Sequence, residues 1–200
     1  MTFKPRLFDY RGFSLMELMV VVGLTGVVAA IAVPMLGNSL GYFRLTGDVR
    51  STANAVALGK MRAASVFGRV RLNVNVTGKS FRLETWDKTT SAWLVDGGTT
   101  YLSPSVSFSR GVVGTAPPNS QGTIGNSVPC KDDLGVADIA NTACVMFNSR
   151  GVPIDPTGNP VVDALYLTDG SAVYGVIVSA TGMVRTWRTL PVSTPSWVLQ

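Results

Sequence analysis

At 200 residues and 21.2 kDa the chain suits one ordinary domain plus an appendage. It contains no histidine, so the commonest general base and metal ligand are missing, and with them the usual parts of most hydrolase and zinc sites. Its formal charge of +5 falls to +3 without residues 1–12, a balance too weak to argue for nucleic acid.

Residues 18–36, LMVVVGLTGVVAAIAVPML, carry no charge, and at about 1.5 Å rise per residue such a helix is long enough to cross a bilayer core. The block is longer than the apolar region of a secretory signal peptide, which runs about 7–15 residues. A plain anchor accounts for the length and for Lys4, Arg6 and Arg11, which the positive-inside rule keeps cytoplasmic. It does not account for Glu17, a carboxylate at the apolar boundary that costs free energy unless it snorkels or finds a partner. Gly23, Gly26 and Pro34 interrupt the Val-rich run, and a kink or melted turn is expected near Pro34.

The string Arg11-Gly12-Phe13-Ser14-Leu15-Met16-Glu17-Leu18 resembles the type III signal of type IV prepilins and type II secretion pseudopilins. There a basic leader ends in Gly, an apolar and usually aromatic residue begins the mature chain, and an acidic residue stands five along. The resemblance implies cleavage between Gly12 and Phe13 by a membrane aspartyl prepilin peptidase, commonly with N-methylation of Phe13. It also implies that Glu17 pairs with the charged amino terminus of a neighbouring Phe13 in a filament, neutralising two charges in apolar surroundings.

Beyond Pro34, Leu40, Phe43, Val49, Ala53, Val56, Ala57, Met61 and Ala64 recur near helical spacing and extend the helix to about Ser65. From Arg69 the period changes to two: Val70, Leu72, Val74 and Val76 alternate with Arg69, Arg71, Asn73 and Asn75 in a half-buried strand. Thr77-Gly78-Lys79 offers a turn to a hairpin partner containing Phe81, Leu83 and Thr85. Trp93–Val95, Val106 and Phe108 read as further short strands, with Gly97-Gly98 between them. Residues 110–142 lack a sustained period and read as a long surface loop. It ends in Cys130 and Cys144, which in an exported domain form one disulfide worth roughly 3 kcal/mol on the chain-entropy model. Val145–Phe147, Ala164–Leu167, Tyr174–Val178 and Val184–Trp187 supply a second group of strands.

The segments Phe147-Asn148-Ser149-Arg150-Gly151-Val152-Pro153 and Ile177-Val178-Ser179 with Thr181-Gly182-Met183-Val184-Arg185 are similar to the end of the minor-pilin group written GspH/FimT. Taken together, the resemblances imply an α+β, pilin-like fold with a long N-terminal helix packed on an antiparallel β-sheet head. The expected divisions are a leader at 1–12, a transmembrane and polymerisation half-stem at 13–36, an amphipathic half-stem at 37–66 and a β-rich head at 67–200.

Some minor pilins of that group bind DNA, and Arg185, Trp187 and Arg188 offer cations beside an aromatic. On a strand, however, Arg185 and Trp187 share a face and Arg188 takes the other. Asp132, Asp133, Asp138 and Asn141, and the string Asp155-Thr157-Gly158-Asn159, offer oxygen ligands without an EF-hand pattern, so solvated polar loops are expected and no metal site. No cofactor motif is present. The expectation is a non-enzymatic minor pilin or pseudopilin of the inner membrane, with its head in the periplasm or on an extracellular filament. Its expected partners are other pilin subunits, prepilin peptidase and, on the alternative reading, DNA.

Overall fold

The computed structural model describes Gly12 and residues 14–200, with all side chains except those of residues 33–39. Its only α-helix among these residues, α1 (Leu15–Ser65), passes through two compact units that divide between Leu40 and Gly41. In the first unit Leu15–Ala32 has a mean hydropathy of 2.3 and none of it is buried. The α-helix runs on through Pro34, so the melted turn expected there is absent.

In the second unit, Leu45, Val49, Thr52, Val56, Gly59 and Ala63 form the buried face of α1. This corrects the stripe expected from apolarity, since Leu40, Phe43 and Met61 are exposed. The true face includes two residues that a hydrophobicity count passes over. Thr52 donates its hydroxyl to the Asp48 carbonyl and so buries no unpaired polar atom. Gly59 lets the helix approach the sheet: a Cβ there would lie 3.0 Å from Leu83 Cδ2.

The strands are β1 (Val70–Asn75), β2 (Ser80–Asp87), β3 (Ala92–Tyr101), β4 (Thr142–Phe147), β5 (Pro153–Ile154), β6 (Asp163–Thr168), β7 (Val173–Val178), β8 (Val184–Thr189) and β9 (Val198–Leu199). They make two antiparallel sheets, ordered β3-β2-β1-β4-β5 and β6-β7-β8-β9. One core joins the helix face to Val70, Leu72, Val74, Phe81 and Phe147 of the first sheet and to Leu165, Leu167 and Val176 of the second. The fold is therefore α+β, with two sheets where one was expected. Val106 and Phe108 belong to no strand; they enter the core from a connection bridged at Ser107–Thr168. Gly97 and Gly98 lie inside β3, where its register with β2 shifts, and Gly97 takes a φ of 95°. The glycine pair serves a bulge and not a turn.

Residues 110–142 are more than a surface loop. Val113 and Ile124 pack on Ala164, Tyr166, Val173 and Ile177, covering the second sheet's other face. That explains why all residues of β6 and β7 are buried.

The same segment closes over β1, whose polar face is buried too. Arg71 and Glu84 face each other across β1 and β2, with side chains only 5% and 3% exposed. Arg71 Nε donates to Glu84 Oε2 at 2.6 Å, and its Nη1 donates to the Lys131 carbonyl. Asn73 and Arg82 both donate to Glu84 Oε1. The Arg71 guanidinium also stacks 4.2 Å from the Trp93 ring centre. Burial nevertheless lowers its pKa, with Glu84 opposing that shift.

Removing one partner leaves the other charge buried. Glu84→Gln or Arg71→Met alone is expected to cost about 3–5 kcal/mol, and Arg71→Met with Glu84→Leu far less than their sum. Urea unfolding of the full chain in detergent micelles, followed by fluorescence, checks this, because Trp86, Trp93, Trp187 and Trp197 all lie in the second unit. Additive losses would mean the pair is uncoupled.

Asp163 opens β6 at 4% exposure, and burial raises its pKa to about 7, with the Ser127 hydroxyl working the other way and the Asp155 charge adding to the rise. The folded chain therefore holds a proton that the unfolded chain has lost, so stability falls as pH rises from about 4 to about 7 and then levels. Over that pH window the loss amounts to about 4 kcal/mol. Asp163→Asn should flatten that slope in the same unfolding assay; an unchanged slope would assign it elsewhere.

Candidate functional site

Ser14 is the residue before the first turn of α1, and its carbonyl accepts the Leu18 N–H at 3.1 Å. Glu17 stands three residues on, in the first turn, giving the Ser-x-x-Glu spacing of a capping box. A carboxylate is favoured at that end by the helix dipole, which gives an acid at an apolar boundary a local reason to persist. Both Gly12 and Glu17 are exposed, and the apolar surface from Leu15 to Ala32 follows directly. Lys4, Arg6, Arg11 and Phe13 lie outside the described residues.

In the head, the two glycine turns noted in the sequence meet. Asn148 closes the first: its Oδ1 accepts the N–H groups of Arg150 and Val152. The second is closed by Gly182 N–H donating to the Ser179 carbonyl at 2.7 Å. Gly151 and Gly182 have φ values of 72° and 79°, and a Cβ on Gly182 would sit 2.5 Å from the Gly151 carbonyl oxygen. Lys60 of α1 donates to the Gly182 carbonyl at 2.9 Å, tying helix and both turns together. The glycines thus serve close backbone approach. Sequence reading missed Lys60, because nothing in its own neighbourhood marks a lysine as a tie between distant turns.

Cys130 and Cys144 are joined, 14 residues apart, with Cα atoms 4.8 Å apart. The bridge fixes the segment that presents the Lys131 carbonyl to Arg71, so it supports the buried ion pair as well as closing a loop.

The three residues singled out for DNA are not brought together. Arg185 and Trp187 share a face of β8, where Trp187 packs on the second apolar cluster and Arg185 Nε donates to Met183 Sδ. Arg188 lies on the opposite face, within 6.0 Å of the Tyr42 and Tyr174 rings. Of the cations on or beside the first hairpin, Arg71 and Arg82 pair with Glu84 and Lys79 donates to the Pro104 carbonyl, while Arg69 is exposed.

The suspected oxygen-ligand strings are internally bonded. Asp155 Oδ1 accepts from Thr157 and Asn159, which lowers its pKa. Asp132 accepts the Val136 and Ala137 N–H groups, Asp133 the Trp93 N–H, and Asp138 pairs with Lys131. Among the described residues no group of three or more His, Cys, Asp or Glu is arranged to hold a metal.

The prokaryotic N-terminal methylation motif matches residues 8–33. The chain is similar to the pilin-like protein PilA1 of Thermus thermophilus, 26% identical over 175 residues that cover 88% of this chain and 97% of that one. Two structures of the minor pseudopilin EpsH from the type 2 secretion system of Vibrio cholerae align with it at TM-scores of 0.46 and 0.44. Their identities are 10% and 11%, over 72% and 76% of this chain and 95% of theirs.

Gly182→Ala is expected to destabilise the head by about 2 kcal/mol or more, since it adds both a clash and a strained φ. Gly47→Ala, where a Cβ meets nothing within 4 Å on an exposed helix face, should stabilise by about 0.5–1 kcal/mol. Equal effects in urea unfolding would remove the close approach as the reason for Gly182.

Proposed function

We propose that the chain is the precursor of a non-enzymatic structural subunit, a minor pilin or pseudopilin of a type IV pilus or type II secretion pseudopilus. The observation that carries this is the methylation motif over 8–33 coinciding with an unburied apolar helix that Glu17 heads. Before assembly the apolar surface of Leu15–Ala32 lies in the inner membrane, with the basic residues 4–11 on the cytoplasmic side and the head in the periplasm. Prepilin peptidase cuts between Gly12 and Phe13 and leaves a new amino terminus. That terminus, on Phe13 of one subunit, meets the Glu17 carboxylate of a neighbour. Each charge is costly alone in hydrocarbon, so the pair favours stems in register over unpaired ones. The lipid-facing apolar surface becomes a stem-to-stem surface without an intervening aqueous step.

Co-expression of the full chain with a prepilin peptidase, followed by intact-mass analysis, checks the processing step. The expected product is residues 13–200 carrying one added methyl group, and Gly12→Val should abolish it. Recovery of the intact Met1 terminus with active peptidase present would overturn the proposal.

A further inference from the structure

The head contains a cavity of about 310 Å³ that the processing and assembly account does not use. It lies where β1, β2, β3 and β4 meet the start of β6, beneath the segment that carries the disulfide. Trp86, Met146, Ile154 and Val162 give it apolar walls beside charged and amide side chains, and its size is that of a small-ligand site.

Its polar anchor is Asp163. This residue is only 4% exposed and lines the cavity, and its buried Oδ2 has no hydrogen-bond partner. A buried carboxylate requires a partner, and the charged groups around the cavity do not supply one. Arg71 is committed to Glu84 and the Lys131 carbonyl, and Lys131 to Asp138 and the Val136 carbonyl. Arg69 also lines the cavity but is exposed, and it is in none of the ion pairs among the described residues. The remaining charges, Asp132, Asp133 and Asp155, are themselves acidic and already hold N–H donors, and Asp155 raises the Asp163 pKa further. What Asp163 lacks is a positively charged partner.

We propose that this cavity receives a primary ammonium group on an unbranched aliphatic stem, with Asp163 as its counter-ion. The stem packs against Met146, Ile154 and Val162, and the ammonium donates to the Asp163 carboxylate. A lysine side chain presented by another polypeptide and a free alkylamine carry the same chemistry. Because Asp163 holds its proton up to about pH 7, occupation below that pH displaces one proton to solvent, and affinity rises with pH.

The test uses the full chain in non-ionic detergent micelles, titrated calorimetrically with Nα-acetyl-lysine methylamide, with n-butylamine and with Nα-acetyl-norleucine methylamide. Saturable binding of either amine, about tenfold tighter at pH 8 than at pH 6 and absent for the norleucine isostere, is the expected result. Tighter binding of the lysine derivative assigns the occupant to a polypeptide; tighter binding of butylamine assigns it to a free amine. Asp163→Asn should weaken the amines at least about tenfold, a 1.4 kcal/mol effect. Equal binding of the norleucine isostere, pH-independent binding, or no amine binding to the wild-type chain would each overturn the proposal, whatever the variant does.

Discussion

Leu15–Ala32 buries none of its apolar surface within the chain, and that single constraint organises the rest. At about 25 cal/mol per Å², a helix of this length cannot remain in water, so it must lie in lipid or against other apolar helices. A carboxylate in its first turn makes those two environments unequal. In lipid Glu17 sits at the boundary, stabilised only by the helix dipole; beside another stem it can gain a positive partner. On the function proposed above, the same apolar surface serves storage in the membrane and packing in a polymer, and the charge pair supplies the register.

The head follows a different logic, in which charge is turned inward. Arg71, Glu84, Asn73 and Arg82 form one hydrogen-bonded group under a disulfide-closed segment, and Lys60 is committed to the Gly182 carbonyl. The loop between β3 and β4 completes the structure by covering β1 on one side and the second sheet on the other. Its irregular backbone is held by Asx-type bonds at Asp132 and by the bridge at Cys130.

Where the sequence carries a strong period it was legible. The uncharged helical span, the alternation through β1 and β2 and the strands β6, β7 and β8 follow from apolar spacing, whereas the two-residue β5 and β9 do not. The errors lie where tertiary context overrides pattern. Thr52 and Gly59 are on the buried helix face because a locally satisfied hydroxyl and a missing Cβ fit there, and Leu40 and Phe43 are exposed. Arg71 and Asn73 look like a solvent face until the distant segment around Lys131 covers them. A cross-strand reading from the Gly78 turn would have placed Arg71 opposite Glu84 and raised the possibility of a pair. Nothing local could reveal that Asp163 opens a strand buried on both faces, because its cover comes from residues about 40 positions earlier.

The central claim is that the stem meets other stems through the surface it first presents to lipid. Photo-crosslinking from residue 20, within the exposed apolar span, in cells that assemble the filament tests it most directly. The account predicts adducts to the N-terminal span of a pilin-class subunit, reduced when Glu17 is replaced by Val. Adducts to lipid alone, in cells shown to process the chain, would contradict it.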